Sequence, residues 1–215
     1  MKTLNMKTTL NVFKNITLKS MKGRNAYLTK MVLASLISAF ALVGNSQEGV
    51  IGSMLVSPLG GPVMAFVSAL LTYNLNSALM ASVYLVYGFA IMIGVGMVVG
   101  KHFENQKPTH EMERRYTHPD KYTMISALVI GLCFGLVAMS DGSWVGEGVG
   151  AGIAISLLPP AVNFGVTYMN KNMKWEDKKE KMRSTLMISM YNIIGIAISC
   201  VLLFGLKGED FVYTF

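Results

Sequence analysis

The sequence predicts an all-α integral membrane protein built from two three-segment repeats. Three observations support this fold class. First, 52% of the 215 residues are hydrophobic and only 14% are charged, whereas a soluble domain carries about 25% charged residues. Second, six apolar blocks approach the length of about 20 residues that spans a bilayer; they are residues 29–46, 49–72, 78–100, 122–140, 145–168 and 185–206. Third, two of these blocks contain a pair of prolines.

The segment before the first block, residues 1–27, is basic and carries a weak helical pattern. Met6, Leu10 and Phe13 fall near one side of a helical wheel, with lysines near another. This pattern is typical of an amphipathic helix on the anionic cytoplasmic leaflet. Disorder is the alternative, because Thr, Asn and Gly residues interrupt the pattern. No small-residue cleavage site follows a short apolar core, so a signal peptide is not predicted.

Basic residues are confined to a few connections. Of the 19 Lys and Arg residues, seven lie in residues 1–30, five in 101–121 and six in 170–184. Six crossings would distribute them almost evenly, against the positive-inside rule. If residues 49–72 instead form a re-entrant hairpin, 18 of the 19 lie on the cytoplasmic face and only Lys207 lies outside. Charge therefore favours five crossings and a cytoplasmic N-terminus, and a kinked sixth crossing stays open.

The second block is interrupted by the motif VSPLGGP at residues 56–62. Pro58 and Pro62 lack a backbone N–H, while Gly60 and Gly61 permit a sharp turn, so a helix is poorly supported here. Freed carbonyl groups are tolerated at membrane depth only where protein buries them or where they line a wet cavity. The motif is interpreted either as an unwound or re-entrant segment or as a packed proline kink.

The fifth block repeats this feature, with Pro159 and Pro160 inside ISLLPPAVN. Each interruption falls in the second block of a three-block set. Paired interruptions at corresponding positions indicate a midplane binding site in transporter folds. The predicted order is a basic segment, a first repeat, a polar loop, a second repeat and a tail, at residues 1–27, 28–100, 101–121, 122–206 and 207–215.

Both motifs resemble a family of hydrophobic prokaryotic membrane proteins, domain-of-unknown-function family 389. Gly52 to Pro62 match its Gly–Ser–Met–Leu–x–Ser–Pro–Leu–x–Gly–Pro stretch, and Ala151 to Pro160 match an Ala- and Gly-rich helix that ends in Ser–Leu–x–Pro–Pro. The resemblance covers most of residues 28–206. It implies the membrane fold and carries no assigned reaction, substrate or ligand residues.

Uncharged polar groups near the two interruptions form the predicted site. Such groups could join freed carbonyls to bind a cation or a small neutral solute, and interhelical hydrogen bonding is the alternative for each one alone. The predicted pathway consists of Ser57, Pro58, Gly60, Gly61, Pro62, Ser156, Pro159, Pro160 and Asn163. Glu147 opens a glycine-rich helix, where it either marks the membrane boundary or, if it lies deeper, couples an ion.

No catalytic or metal-binding pattern stands out. HEMER at residues 110–114 resembles the start of HExxH, but Arg114 occupies the place of the second histidine. The three histidines of the polar loop fall on different helical faces, so the loop is predicted to be solvated and to hold no metal. Cys133 and Cys200 lie in apolar blocks and are interpreted as core residues. Neither an enzyme activity nor a cofactor is expected.

Small residues recur at four-residue spacing in the third, fourth and fifth blocks, as at Gly96, Gly100, Gly131 and Gly135. These stripes allow close helix contact, within one subunit or between the subunits of an expected homo-oligomer. The basic residues flank membrane blocks, which favours a topogenic role over nucleic-acid binding.

The sequence thus predicts a small transporter or channel in the plasma (cytoplasmic) membrane, surrounded by lipid and acting on an unidentified ion or small solute. The alternative is a non-transporting oligomeric scaffold in the membrane.

Overall fold

A computed structural model describes residues 24–71, 73–116 and 145–206, together with six helical positions between them: Tyr122, Ile125, Ser126, Leu128, Val129 and Leu132. Regular structure in this part of the chain is entirely α-helical. Several predictions concern residues outside it, namely those for residues 1–23, His118, Gly131, Cys133, Gly135 and the tail 207–215.

The helices with continuous bounds are, in chain order, α1 (Arg24–Val43), α2 (Gln47–Val56), α3 (Gly60–Leu71), α4 (Leu75–His102), α5 (His110–Glu113), α6 (Val145–Met169) and α7 (Trp175–Leu206). Of these described helices, α1 and α4 are each long and apolar enough to cross a bilayer. α2 and α3 qualify together as one bent span. The all-α class and apolar helices of membrane-spanning length are therefore present.

One stripe of α1 faces the protein interior. Met31, Ala34, Ser38 and Leu42 recur every three or four residues and are fully buried, which is the spacing of one helical face. The helix stops before Asn45, whose φ of 55° lies in the left-handed region. Asparagine is among the few residues that tolerate this conformation, so the chain turns here without a glycine.

Side chains cap the N-termini of α2 and α4. The Ser46 side chain accepts a hydrogen bond from the Gly49 N–H over 3.1 Å at the start of α2. The Asn74 side chain accepts one from the Ser77 N–H over 3.0 Å at the start of α4. Each cap supplies an acceptor to a first-turn N–H that has no partner within its own helix. These local signals fix where both helices begin.

Glycines bring α4 and α6 into backbone contact. A Cβ placed on Gly96 would lie 2.3 Å from the Val162 carbonyl oxygen, and one on Gly165 would lie 2.2 Å from the Ile93 carbonyl oxygen. Glycine is needed here because any side chain would overlap the neighbouring main chain. The small residues Gly96 and Gly100 of the predicted stripe therefore pack within one chain.

α1 and α4 run in the same direction. The Tyr27 ring lies edge-to-face against Tyr84, near the start of α1. Further along both helices, Phe40 near the end of α1 lies edge-to-face against Phe103, the residue that follows α4. α6 is also parallel to α4, since Gly96 faces Val162 and the later Gly100 faces Val166. The last turns of α1, α4 and α6 thus lie together, at what we call the loop end of the bundle.

Candidate functional site

The first proline motif interrupts the helix, as the sequence predicts. α2 ends at Val56, Ser57 is extended with φ −68° and ψ 128°, and α3 begins at Gly60. A following proline disfavours the helical region, so Pro58 accounts for the extended Ser57. α2 and the first part of α3 meet at an angle of 56°. Ser57 is only 6% exposed, and its Oγ has no hydrogen-bond partner among the described residues.

The rest of this motif packs into the bundle. Leu59 is fully buried and lies beside Gly88 of α4, where an added Cβ would be 3.3 Å from its Cδ2 atom. The other predicted site residues of the motif are buried or half-buried: Pro58, Gly60, Gly61 and Pro62. The interruption is therefore held inside protein, the setting in which irregular backbone is tolerated at membrane depth.

The second proline motif does not break its helix, and this part of the sequence-based prediction is wrong. α6 continues from Val145 to Met169 with Pro159 and Pro160 inside it, both buried. The prolines remove two N–H donors, so the carbonyls of Ile155 and Ser156 lose their usual intrahelical partners. α6 packs against α1, α2, α3, α4 and α7, and this surrounding contact keeps the helix continuous despite its low local propensity.

Asn163 lies one turn after these prolines and is fully buried. Its Nδ2 donates a hydrogen bond to the Met112 carbonyl oxygen over 3.1 Å. Its Oδ1 has no partner within the described part of the chain. Asn163 thus presents, in the interior, an amide nitrogen that donates to Met112 and an oxygen without a partner among the described residues.

The structure brings the segments that carry Ser57 and Asn163 together, because α2 and α3 both pack against α6. A third buried oxygen without a partner in the described part of the chain, Ser38 Oγ, lies on α1, which also contacts α6. Sequence reasoning missed Ser38. The signal was present, since Ser38 falls on the same helical face as Met31, Ala34 and Leu42.

The side chains of two predicted site residues, Glu147 and Ser156, lie outside the described part of the structure, although the helix backbone at both positions belongs to α6. In the ranges that the structure describes, no group of three His, Cys, Asp or Glu residues is placed to hold a metal ion. The candidate site therefore consists of uncharged oxygens.

Residues 103–116 are docked against the loop end. Part of the segment is solvated, as expected from sequence, with Lys107 and His110 exposed. Glu111, Met112 and Tyr116 are buried, however, which the sequence did not predict. Met112 is 2% exposed and Glu111 is 3% exposed. The Glu111 carboxylate accepts hydrogen bonds from Arg114 over 3.0 Å and from Arg115 over 3.1 Å. A buried carboxylate needs such partners, and here they come from the same short segment, three and four residues further on.

This segment binds the end of α1 through three hydrogen bonds. The Thr109 hydroxyl donates to the Leu42 carbonyl over 2.5 Å, and Gln106 Nε2 donates to the Val43 carbonyl over 2.9 Å. These carbonyls belong to the last turn of α1, where intrahelical donors have run out. The Glu111 N–H in turn donates to Asn45 Oδ1 over 3.0 Å.

The same segment binds α6 and α7 through Tyr116. The Tyr116 hydroxyl is 2.8 Å from Thr167 Oγ1, and the Tyr116 carbonyl accepts from the Ser184 hydroxyl over 2.9 Å. Burial raises the pKa of Tyr116 to about 12, although hydrogen bonds from Thr167 and Asn163 partly oppose the shift. The phenol therefore stays neutral and bound at physiological pH.

An exposed ion-pair network completes the docking. The Glu104 carboxylate contacts both Lys101 and Lys171 at 2.7 Å. Hydrogen bonds from these two lysines hold the pKa of Glu104 below its usual value. Asn170 Nδ2 also donates to the Gln106 carbonyl over 2.8 Å. The loop end is thus joined across α4, the docked segment and α6.

Comparison with known proteins places this architecture beside relatives without an assigned activity. A family model described as domain of unknown function, DUF389, matches residues 54–202. The uncharacterized protein MJ0678 of Methanocaldococcus jannaschii is 25% identical over 178 residues, which cover 83% of this chain and 53% of that protein. The chain therefore spans about half the length of this relative. No solved structure matches the chain.

Proposed function

Because the chain belongs to the DUF389 family, as its two proline motifs indicated, we propose a function from its buried polar groups: a small membrane transporter or channel. Its site lies where α2 and α3 meet α6. The supporting observation is that two buried oxygens, Ser57 Oγ and Asn163 Oδ1, lie on segments that contact each other and have no hydrogen-bond partner among the residues that the structure describes. An unsatisfied buried polar group costs about 1–3 kcal/mol, and a bound ligand would supply the missing partner.

The free atoms limit the class of ligand. Ser57 offers a hydroxyl and Asn163 a carbonyl oxygen, while the Asn163 amide nitrogen already donates to the Met112 carbonyl oxygen. Oxygens of this kind bind a dehydrated cation or accept hydrogen bonds from a small neutral solute. The proposal is one of binding and passage, and it includes no catalytic step or cofactor.

We further propose six crossings, in two inverted repeats. If α1 and α4 both cross in the same direction, α2 and α3 must return between them as one broken span, and a re-entrant hairpin at 49–72 does not fit. The start of α1 and residues 101–116 then lie on opposite faces of the plasma (cytoplasmic) membrane. The charge-based placement of both on the cytoplasmic face does not hold in this arrangement.

Single cysteines test this topology in a background that lacks Cys133 and Cys200. The substitutions are Gln47→Cys and Leu75→Cys, each labelled from one side of the membrane with an impermeant maleimide. A broken span puts the two labels on opposite faces. Labelling of both positions from one face supports the re-entrant hairpin and refutes six crossings.

Flux through the protein tests the function itself. Purified protein in liposomes is screened with monovalent cations and small neutral solutes, and Ser57→Ala is compared with Ser53→Ala. Ser53 is fully buried but its hydroxyl is bound to the Val50 carbonyl over 2.6 Å, so it is a matched control. Loss of the free hydroxyl should lower flux about tenfold or more, while Ser53→Ala retains it. Equal effects of both variants refute a site at Ser57.

One observation favours the alternative, a non-transporting oligomeric scaffold. A side of α4 turned away from α6 carries Ala90 and Val98, both exposed, with open space at Gly94. Small residues on a lipid-facing helix allow a second subunit to approach closely. If no solute moves and Gly94→Leu abolishes assembly into oligomers, the scaffold is the better description.

A further inference from the structure

We propose that residues 103–116 form a plug that closes the loop end of the bundle over the buried site and must undock for a solute to pass. That the plug controls the passage of a solute rests on the proposed function, whereas its closure of the loop end does not. We call residues 103–116 the plug segment. The inference draws on its burial, its contacts with three helices and its direct bond to Asn163.

The plug segment bridges helices that are far apart in sequence. Thr109 and Gln106 bind the last carbonyls of α1, 67 and 63 residues earlier in the chain. Tyr116 binds Thr167 of α6, 51 residues later, and Ser184 of α7, 68 residues later. A solvated connection between α4 and the following helix would need none of these contacts, so the segment closes the space between α1, α6 and α7.

A hydrogen bond connects the plug segment directly to the proposed site. The Met112 carbonyl accepts from Asn163 Nδ2 over 3.1 Å. Met112 itself is almost completely buried. While the plug is docked, the Asn163 amide nitrogen donates to the Met112 carbonyl and the side chain is held in one orientation. Undocking frees that donor and removes the cover at the same moment.

The charge distribution allows the plug segment to leave as a unit. Its buried carboxylate, Glu111, is paired with Arg114 and Arg115 inside the segment. Moving the segment therefore does not separate a buried ion pair, which would be strongly unfavourable. Its hydrogen bonds to α1 and α7 join neutral groups and are individually modest in strength. The Lys181 ammonium of α7 also lies over the Tyr116 ring, 4.5 Å from its centroid, and a cation–π contact of this kind adds a further modest attraction. The link of Glu104 to Lys171 is exposed and correspondingly weak.

Ser57 is a suitable reporter of closure. α2 begins at Gln47, just after the residue that binds the plug, and runs for 10 residues, or about 15 Å. Ser57 thus lies about 15 Å inward from the loop end. In a background of Cys133→Ala and Cys200→Ala, the variant Ser57→Cys places one thiol at this depth with little change in volume.

The experiment measures the rate at which a small cationic methanethiosulfonate reagent modifies Ser57→Cys in purified protein. The undocked form combines Asn45→Gly, Thr109→Val and Tyr116→Phe. Asn45→Gly keeps the left-handed backbone accessible and removes the acceptor of the Glu111 N–H. Thr109→Val and Tyr116→Phe delete hydrogen bonds of the plug while closely preserving the shape of the side chain. Loss of three or more such bonds should accelerate labelling by about tenfold or more.

Matched controls delete similar bonds elsewhere. Tyr27→Phe removes the hydrogen bond to the Tyr84 carbonyl, and Ser82→Ala removes that to the Ala78 carbonyl. Neither change should accelerate labelling. A second reporter, Ala81→Cys, lies fully buried on α4, near its start and away from the plug. Its labelling rate should stay constant in the undocked form.

Three outcomes decide the proposal. Faster labelling of Ser57→Cys alone supports the plug. Unchanged labelling in the undocked form, or equal acceleration at Ala81→Cys, overturns it, because the segment would then not be the barrier. Accelerated labelling at Ser57→Cys together with absent flux in every variant supports the plug and refutes transport, so the two proposals fail separately.

Discussion

Alanine at Gly96 should destabilise the protein, whereas alanine at Gly94, two residues earlier on the same helix, should not. A Cβ at Gly96 meets the Val162 carbonyl oxygen at 2.3 Å, and one at Gly94 meets nothing within 4 Å. Both substitutions exchange glycine for alanine inside α4. They therefore differ only in what the added methyl group contacts.

The expected difference follows from this geometry. To restore ordinary contact near 3.4 Å, α4 and α6 must separate by about 1 Å. Overpacking of this kind costs about 1–3 kcal/mol. The gain in helix propensity, up to about 1 kcal/mol, applies to both variants and cancels in the comparison. Gly96→Ala should therefore unfold with a free energy about 1–3 kcal/mol lower than Gly94→Ala.

The assay is reversible unfolding of both variants in mixed micelles, followed by circular dichroism, with thermal melting as a second measure. For a chain of this size the difference corresponds to about 2–12 °C in melting temperature. Gly165→Ala, which meets the Ile93 carbonyl oxygen at 2.2 Å, should behave like Gly96→Ala. Equal stabilities of Gly94→Ala and Gly96→Ala would refute the close contact between α4 and α6.

Three further predictions concern the loop end. Because burial raises the pKa of Tyr116 to about 12, against about 10 for a free tyrosine, its stabilising contribution is complete below pH about 10. That contribution should be lost as pH rises from there through the folded pKa, and melting of Tyr116→Phe should lack this part of the alkaline decline. Ser46→Ala should lower the free energy of unfolding by about 1 kcal/mol through loss of the α2 cap, while Ser46→Asp should retain most of it. Glu111→Ala leaves the partly buried Arg115 unpaired and should cost about 1–3 kcal/mol; hydrogen exchange of the plug segment should then increase. A smaller change in Glu111→Ala than in Glu104→Gln would contradict the assigned burial of Glu111.

Much of the fold could be predicted from local chemistry. The bounds of α4 follow from an apolar run with an Asn74 cap, and the interruption at Ser57 follows from the proline after it. The caps and breaks depend on neighbours a few residues away, so the sequence displays them directly. The start of α7 could not be predicted in this way. The helix begins at Trp175, about ten residues before the apolar block, because the charged stretch before the block belongs to the same helix.

The candidate site could be predicted only in part. Ser57 and Asn163 are among the residues indicated by the two motifs, and both are buried. That Asn163 Nδ2 is occupied and Oδ1 is free depends on Met112, 51 residues away. No periodicity or motif encodes such a pairing, because it arises only when the plug segment reaches the interior.

By itself, the sequence determined the class of the protein: apolar helices of membrane-spanning length, a break at VSPLGGP and membership of a family recognised by its proline motifs. The tertiary structure decided what each motif does. Proline chemistry removes N–H donors in both halves, yet α2 ends at its motif while α6 continues through Pro159 and Pro160, because five described helices pack against α6. Likewise, the hydrophilic composition of residues 103–116 indicates solvent, but their hydrogen bonds to helix ends far away in sequence dock the segment and bury Glu111, Met112 and Tyr116. Local chemistry determines which backbone conformations are low in free energy, and long-range contacts select among them.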